Sequence, residues 1–408
     1  MHTSFLKMVP IWLLGLVFIL VSLSGCGLFL KAPEITAKTS LVKLKVSHYP
    51  AFSDQRAYKD LHDSIEQSLA YLYRLPADRE FFFAEDIFTA AHLIASHELF
   101  LKFLYKNPSQ KELNQFIASN FAVYQSVGSN RKRDVLFTGY YEPAVLGSLV
   151  PSDTFRFPVY ATPTDLIAID LALFSERYSG QKIVGRQTGK TIVPYYERKD
   201  IGELKPFLDS AKILAWVKDP IDLFFLQIQG SGRLLLPHGD HINIHYHTTN
   251  GHPYRSIGKL LIDEGKIARE EMSMQKIRTY LHEHPDEMNR ILNYNPSYVF
   301  FKLEEKGPIG YLSVPLTAER SLALDRRIFP PAGLVYIETS RPVVDQDGQI
   351  ETWEALKGFV LNQDTGGAIR GPGRADLFWG NGPFAELAAG HMQHPGTFYF
   401  LVLKTDGA

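Results

Sequence analysis

A glycine-rich segment near the carboxyl end of the chain runs, in order, Gln363-Asp364-Thr365-Gly366-Gly367-Ala368-Ile369-Arg370-Gly371-Pro372-Gly373-Arg374-Ala375-Asp376-Leu377-Phe378-Trp379-Gly380-Asn381-Gly382. It lies between two apolar runs that predict β-strands, Leu356–Val360 and Phe398–Val402. Glycine permits tight turns and lets the backbone approach a ligand closely. The segment therefore indicates a β framework that carries a binding loop.

Two aspartates of this segment are candidates for chemistry, and Asp376 is the stronger one. Ala375 precedes it, and Leu377-Phe378-Trp379 follow it. A carboxyl group in apolar surroundings has a raised pKa, which a general acid working near neutral pH requires. The spacing also fits a plainer interpretation, in which Asp364 and Asp376 only cap turns of a β segment.

Two rival active sites would use the same carboxylates. Asp364-Thr365-Gly366 matches the aspartic-protease triplet, but that chemistry needs two such aspartates, and the sequence has no second Asp-Thr-Gly or Asp-Ser-Gly. A two-carboxylate glycoside hydrolase needs an acid together with a nucleophile or base. Asp364, Asp325 and Glu142 are available as that second carboxylate, so this alternative stays open.

A metal site is the third alternative. His241, His245 and His247 would share one face of a strand, and His238 and His252 lie near them in the sequence. Such spacing could ligate zinc. No clear carboxylate general base accompanies these histidines, and histidines also line polar binding loops, so the pattern favours a loop over a metal centre.

Helical and β patterns alternate along the rest of the chain. Apolar residues at helical spacing predict helices within 54–76 and 87–105, and a third helix after Ser109, which forms a candidate capping box with Glu112. A helical pattern returns from Tyr254 to Asn293. Short apolar runs predict strands of an antiparallel sheet or small barrel at Val135–Pro143, Phe157–Tyr160, Thr191–Val193, Leu223–Gln229, Tyr298–Phe301 and Leu334–Ile337.

The apolar run Leu223–Gln229 leads into the pentapeptide Gln229-Gly230-Ser231-Gly232-Arg233. This pentapeptide lacks the first glycine of a nucleophile elbow and the third glycine of a dinucleotide fingerprint. We expect a turn that presents Gln229 and Ser231 as hydrogen-bond donors to a polar ligand.

The amino-terminal residues predict an exported lipoprotein. Lys7 precedes the apolar run Ile11–Leu23, which is too short for a comfortable bilayer span and typical of a signal peptide. Leu23-Ser24-Gly25-Cys26 follows and resembles a bacterial lipobox, with Cys26 as the lipidated residue. The alternatives are an ordinary signal peptide or a short membrane anchor. Gly27, not an aspartate, follows the cysteine, which favours an outer-membrane anchor facing the periplasm.

Composition excludes several other classes of protein. The chain of 408 residues is 45% hydrophobic and 21% charged, so it can bury a sizeable core. Its formal net charge of -1 argues against a nucleic-acid binder. Cys26 is the only cysteine, which excludes an intramolecular disulfide and a second cysteine that could act as nucleophile or metal ligand.

Six motifs occur in one order along the chain: Phe137-Thr138-Gly139-Tyr140-Tyr141-Glu142-Pro143, Gln229-Gly230-Ser231-Gly232, Asn250-Gly251-His252-Pro253-Tyr254-Arg255-Ser256-Ile257-Gly258, Ser273-Met274-Gln275-Lys276-Ile277-Arg278, Asn295-Pro296-Ser297-Tyr298-Val299-Phe300-Phe301-Lys302 and Val314-Pro315-Leu316-Thr317. With them the chain resembles the membrane-bound lytic murein transglycosylase A family. Its last part resembles the three-aspartate domain of that family, with Asp325, Asp364 and Asp376 at the three positions.

The resemblance implies a mainly β fold with an amino-terminal helical section. A double-psi β-barrel domain would be separated by a groove from a second, inserted β-rich domain, and the groove would hold the glycan strand. The implied organisation is a signal peptide at 1–25, a tether at 26–50, a helical section with the first part of the barrel at 51–143, the insert at 144–295 and the three-aspartate barrel domain at 296–408.

The resemblance also implies the site residues. Asp376 would be the catalytic residue, and no cofactor or metal would be needed. Substrate contacts are expected from Thr138, Tyr140, Gln229, Ser231, Lys302 and Asp364. The chain departs from the family at His245-Tyr246-His247-Thr248-Thr249, where Tyr-Ala-Gly often precedes Asn-Gly-His, and at Glu142, a position that is not always acidic.

The implied activity is that of a lytic exotransglycosylase, a carbon–oxygen lyase that cleaves the β-1,4 bond between N-acetylmuramic acid and N-acetylglucosamine and leaves 1,6-anhydromuramyl ends. Its partners would be peptidoglycan strands, the outer membrane through a lipid anchor, and a complex of wall-remodelling proteins, with no nucleic acid. The alternatives are a non-catalytic peptidoglycan-binding lipoprotein and a two-carboxylate peptidoglycan hydrolase.

Overall fold

The computed structural model describes residues 35–178 and 180–405, so the candidate lipidation residue Cys26 lies outside the described residues. The strands are β1 (Leu41–Lys43), β2 (Glu80–Phe83), β3 (Asp86–Thr89), β4 (Phe121–Ser126), β5 (Val135–Glu142), β6 (Ala144–Ser148), β7 (Phe157–Tyr160), β8 (Ile167–Asp170), β9 (Lys182–Thr188), β10 (Thr191–Pro194), β11 (Ile213–Val217), β12 (Ser231–Leu235), β13 (His241–Thr249), β14 (Val299–Glu304), β15 (Ser321–Ala323), β16 (Leu334–Val344), β17 (Ile350–Asp364), β18 (Arg374–Asn381) and β19 (Gln393–Leu403). The α-helices are α1 (Leu61–Leu72), α2 (Ala90–Leu104), α3 (Gln110–Asn120), α4 (Lys205–Ser210), α5 (Pro220–Gln229), α6 (Ile257–Asp263), α7 (Met274–Glu283), α8 (Pro285–Tyr294) and α9 (Pro383–His391).

Six strands close into a barrel. Their order is β19-β16-β17-β15-β18-β5, and β5 pairs back onto β19. Two of the pairs, β15 with β17 and β18 with β5, are parallel. A closed sheet leaves no unpaired edge, and β4 and β1 extend it from β19. This barrel and the separate β-rich insert confirm the predicted fold, although the helices make it mixed α/β rather than mainly β.

The amino-terminal helices cover the outside of the barrel. The ring of Phe100 in α2 packs against the ring of Phe359 in β17, with 5.1 Å between the two centroids. The predicted capping box is present at the start of α3, where Ser109 Oγ accepts from the Glu112 amide and Glu112 accepts from the Ser109 amide. Each such pair satisfies two backbone N–H groups that the first helical turn leaves unpaired.

The insert is built on a six-stranded sheet in the order β14-β13-β12-β6-β11-β7, with a three-stranded sheet, β10-β9-β8, beside it. Val217, Leu234 and Phe301 belong to its apolar core. β14 pairs with β13, so this strand belongs to the insert sheet although it follows the predicted boundary at Asn295. The domain boundaries themselves stay predictions.

The strand predicted at Leu223–Gln229 is wrong, because these residues lie in helix α5. The Asp219 side chain accepts from the Ile221 amide at 2.8 Å, Pro220 occupies the first helical turn, and Gly230 ends the helix with φ of 80°. Asp, Pro and Gly at these places are start and stop signals of a helix. Six of its ten residues are buried, and a short apolar run of this kind cannot be told from a strand by its periodicity alone.

Helices α6, α7 and α8 form a separate helical layer. They share one apolar core with the barrel, which includes Leu261, Ile277 and Leu292 on the helices and Leu377 on β18. Helix α7 also contacts α9. Within 35–178 and 180–405, no helix has the length and apolar character needed to cross a membrane.

Candidate active site

Asp376 and Thr138 lie side by side because strands β18 and β5 pair in parallel. The pairing aligns Asp376 with Thr138 and Phe378 with Tyr140. Thr138 Oγ1 donates a hydrogen bond of 2.5 Å to Asp376 Oδ1. Successive side chains of a strand point to opposite faces, so Arg374 shares the face of Asp376. The barrel register thus assembles one carboxyl, one hydroxyl and one guanidinium at a single wall.

The surroundings of Asp376 shift its pKa towards neutral pH. Burial raises the pKa of this carboxyl to about 6, against the opposing effects of the Thr138 hydrogen bond and the Arg374 charge, and the neighbouring Asp364 charge raises it further. A carboxylic acid with this pKa can donate a proton at pH 6 and accept one afterwards. The direction of this shift is the one expected from the apolar flanks of Asp376, and the catalytic role of Asp376 stays a prediction.

Asp364 is held beside Asp376 by three hydrogen bonds. Its Oδ1 accepts from the Tyr311 and Thr365 amides, each at 2.9 Å, and its Oδ2 accepts from the Tyr140 hydroxyl at 2.9 Å. Burial raises the pKa of Asp364, and these bonds offset that effect only partly. The Tyr140 ring also contacts Phe378, with 5.1 Å between ring centroids. Asp364 therefore fixes Tyr140 and the loop at Tyr311.

The third aspartate, Asp325, has a structural role in holding the glycine-rich loop. Its side chain is fully buried and accepts from the Arg327 guanidinium at 2.6 and 2.9 Å and from the Gly371 amide at 2.8 Å. Burial acts to raise the pKa of Asp325, but these bonds outweigh it and leave the pKa lowered. Asp325 thus holds the glycine-rich loop and is no candidate for proton transfer.

Three further residues predicted to contact substrate lie on the insert side. Gln229, at the end of α5, accepts from the Tyr141 amide at 3.1 Å and so ties that helix to β5. Ser231 begins β12, opposite His245 of β13. Lys302 lies on β14, opposite the same His245, and forms an ion pair with Glu304. Gln229 is thus hydrogen-bonded to the strand that carries Thr138.

The histidines do not converge. A bulge in the β13–β14 pairing between Tyr246 and Thr248 breaks the alternation that would put His245 and His247 on one face. His245 donates to the Ile309 carbonyl, and His247 lies 2.7 Å from the Thr162 hydroxyl. In the part of the chain that the structure describes, no group of three or more His, Cys, Asp or Glu is arranged to hold a metal ion.

Glu142 joins the barrel to the insert. It ends β5, is buried, and accepts from Asn381 of β18 at 3.2 Å. Arg233 of the insert strand β12 lies 3.0 Å from the same oxygen. In the strand register Glu142 lies opposite Asn381, four residues along β5 from Thr138. It is therefore placed to hold the two parts together rather than to transfer protons with Asp376.

Two cavities are lined by residues that contact Asp376 or Asp364. The helix-side cavity, of about 450 Å³, is lined by Thr138, Gln229 and parts of α5, α6, α7 and α9. The strand-side cavity, of about 720 Å³, is lined by β13, β14 and the following loop, including His245, Lys302 and Tyr311. Neither carboxyl lines a cavity itself, but each is bonded to a residue that does: Thr138, which bonds Asp376, lines the helix-side cavity, and Tyr311, whose amide bonds Asp364, lines the strand-side cavity.

Sequence reasoning missed several residues of this site. Arg374 lies two positions before Asp376, and its Nε has no hydrogen-bond partner among the described residues. Gln393 of β19 is aligned with Thr138 and lines the helix-side cavity. Arg374 and Asp376 are two residues apart, a spacing that places both side chains on one face of a strand and could have been read from the sequence. The position of Gln393 beside Thr138 depends on closure of the barrel, which the sequence does not show.

Known proteins match this chain over most of its length. Residues 136–302 match the model of the MltA specific insert domain, and residues 320–402 match the model of the 3D domain. Membrane-bound lytic murein transglycosylase A of Escherichia coli K12 is 33% identical over 285 residues, which are 69% of each chain. The enzyme of the same name from Vibrio cholerae is 31% identical over 287 residues, or 68% of each chain.

Solved structures show the same similarity. A crystal structure of membrane-bound lytic murein transglycosylase from Agrobacterium tumefaciens superposes with a TM-score of 0.72 at 30% identity, covering 89% of this chain and 98% of that one. Escherichia coli MltA with bound chitohexaose gives a TM-score of 0.67 at 27% identity, covering 92% and 97%. The resemblance predicted from the six motifs is confirmed, and this chain belongs to the membrane-bound lytic murein transglycosylase A family.

Proposed function

We propose that this protein is a lytic transglycosylase that cleaves peptidoglycan with Asp376 as its single general acid and base. The observation that carries the proposal is the Asp376–Thr138 pair, in which the carboxyl has a pKa of about 6 and Thr138 lines the helix-side cavity. The E. coli relative was crystallised with chitohexaose, a β-1,4-linked amino-sugar oligomer, which supports a glycan strand as the occupant of this groove.

The first step transfers the proton of Asp376 to the glycosidic oxygen between N-acetylmuramic acid and N-acetylglucosamine. The bond from C1 of the muramic sugar to that oxygen breaks, and positive charge develops at C1 in an oxocarbenium-like transition state. The departing N-acetylglucosamine keeps the electron pair and the proton as a free hydroxyl group. Asp376 is left as a carboxylate, which the Thr138 hydroxyl stabilises.

The second step uses the same carboxylate as a base. Asp376 removes the proton from the C6 hydroxyl of the muramic sugar, and that oxygen bonds to C1 to form the 1,6-anhydro ring. Asp376 is then protonated again, so the cycle needs no second catalytic carboxylate. Acid–base assistance of this kind contributes about 10²- to 10⁴-fold, and positioning in the groove supplies the remainder.

Asp364 and Tyr140 orient the sugar in this scheme rather than react. The Asp364 oxygens are already occupied by two amides and one hydroxyl. Gln229 keeps its amide nitrogen for substrate, because its oxygen accepts from Tyr141. Ser231 and Lys302 stay predicted contacts further along the groove.

We also propose that Cys26 anchors the protein to the outer membrane on its periplasmic side. The support is the Leu23-Ser24-Gly25-Cys26 lipobox and the description of the relatives as membrane-bound. Palmitate labelling of the full chain should incorporate label, and Cys26→Ala should abolish it. Label in the Cys26→Ala protein, or release of the parent protein from membranes by high salt, would contradict the anchor.

The activity is tested by mass spectrometry of muropeptides that a soluble form lacking residues 1–26 releases from purified sacculi. The parent should release anhydro-ended muropeptides, and Asp376→Asn should release none while keeping the same thermal unfolding cooperativity. The control is Glu338→Gln, on the barrel surface. Asp325→Asn is unsuitable as a control because Asp325 supports the glycine-rich loop. Reducing ends would indicate a hydrolase, and no release from the parent would favour a binding lipoprotein.

A further inference from the structure

One side of the helix-side cavity is aliphatic. Ile228, Met272, Met274 and Ile277 line that side, and the aromatic residues Phe224, Phe225 and Tyr254 line other parts of the cavity. Ile228 is 39% exposed although it is apolar. Methionine adapts its shape to irregular partners, so this wall suits small aliphatic groups.

The basic residues Lys259 and Arg269 line the helix-side cavity, and none of the described residues on its wall is an aspartate or glutamate. Lys259 forms an ion pair with Asp263 of the same helix. The strand-side cavity is mixed, with Glu304 and Glu305 among its lysines. The Arg269 side chain is exposed and forms no ion pair or hydrogen bond with any described residue. The helix-side cavity is therefore complementary to an anionic ligand with aliphatic parts.

Thr138 connects this cavity to the chemistry. Its hydroxyl bonds Asp376, and the same residue forms part of the cavity wall. A muramic sugar whose C1 lies at Asp376 carries its lactyl ether on C3, two ring carbons away. A substituent on that ether branches from the glycan strand close to the bond that is cleaved. The substituent therefore needs space beside the groove.

We infer that the helix-side cavity receives the peptide stem attached to the lactyl group of the muramic sugar. This inference rests on the proposed function, because it requires that sugar at Asp376. The stem combines alanine methyl groups with free carboxylates. The methyl groups contact the wall at Ile228 and Met272, and a carboxylate faces Arg269. The protein thereby prefers strands that still carry their peptides.

The test compares strands that bear stems with the same strands after amidase removal of the stems. The variants Arg269→Ala and Ile228→Glu alter the cavity at exposed side chains, so both should fold. Arg131→Ala and Ile192→Glu are matched controls, since both residues are exposed and lie outside the two cavities. The measured quantity is the ratio of kcat/KM on stem-bearing strands to kcat/KM on stem-free strands.

We expect this ratio to exceed one in the parent and to fall about fivefold to tenfold in each cavity variant, as for loss of one charged contact, but not in the controls. Binding of stem-bearing and stem-free oligosaccharides to Asp376→Asn protein should show the same preference without turnover. A parent ratio of one, or equal losses on both substrates, would overturn the inference and leave the proposed function standing. Absence of anhydro products from either substrate would instead refute the proposed function.

Discussion

At the scale of single residues, the Thr138 hydroxyl sets how readily Asp376 holds its proton. A hydrogen bond donated to a carboxylate stabilises the charged form and lowers its pKa. Burial acts in the opposite direction and wins, which gives a pKa of about 6. The acid step needs the protonated form, so kcat/KM should fall as pH rises through about 6, approaching tenfold per pH unit above it.

Thr138→Val should move that decline to higher pH. Valine has nearly the same shape but donates no hydrogen bond, so the pKa of Asp376 rises and the protonated form persists further. Maximal activity should also drop, because the carboxylate formed in the first step loses a donor. A kcat/KM profile from pH 4.5 to 8 measures both effects, with Thr339→Val in the barrel as control. A shift towards lower pH would contradict this assignment.

At the scale of elements, strand β5 is fixed by close contact with β18 and α9. A Cβ added at Gly139 would lie 2.6 Å from the Trp379 ring of β18 and 2.8 Å from the Ala389 backbone of α9. Real Cβ atoms do not approach backbone so closely, so β5 must move relative to its neighbours. Thr138 and Tyr140 flank this glycine and would move with it.

Gly139→Ala should therefore cost about 1–3 kcal/mol of unfolding free energy, as overpacking of a core does, and should lower kcat. Gly367→Ala is the stability control, because a Cβ there meets no atom within 4 Å. Chemical denaturation and initial rates on sacculi measure the two effects. Equal unfolding midpoints for the two variants would show that β5 accommodates a side chain at Gly139.

At the scale of the whole molecule, Glu142 links the barrel to the insert. The carboxylate contacts Asn381 on one side and Arg233 on the other. Arg233 is partly exposed, so water can solvate its charge when the partner is removed. Loss of this link should loosen the two walls relative to each other without touching Asp376.

Glu142→Gln should accordingly raise KM more than it lowers kcat and should reduce Tm, since a buried hydrogen bond to a charged group contributes about 1.5–3 kcal/mol. Steady-state kinetics on isolated glycan strands and a thermal melt measure these effects. Glu338→Gln, whose carboxylate pairs with Lys357 on the barrel alone, is the matched control. A collapse of kcat with unchanged KM would instead make Glu142 a second catalytic carboxylate.

Local features of this protein were predictable from its sequence. The helix start at Ser109 was predicted because its capping partner Glu112 lies three residues away. Asp376 was predicted as the acid because its apolar neighbours adjoin it in the chain. The α5 helix was predicted as a strand because a short apolar run of this kind cannot be told from a strand by its periodicity alone.

The amino-acid sequence by itself determined the family and the capping of helix α3, and it predicts Asp376 as the acid, since all of these depend on residue type and short spacing. Only the tertiary structure decided what surrounds that acid. Thr138 and Asp376 are 238 positions apart, and Tyr140 and Asp364 are 224 apart. Closure of the barrel fixes the strand register that brings these pairs together, and packing of α6 and α7 against it forms the helix-side cavity. Contacts of this range follow from the relative placement of whole strands and helices, which no local pattern specifies.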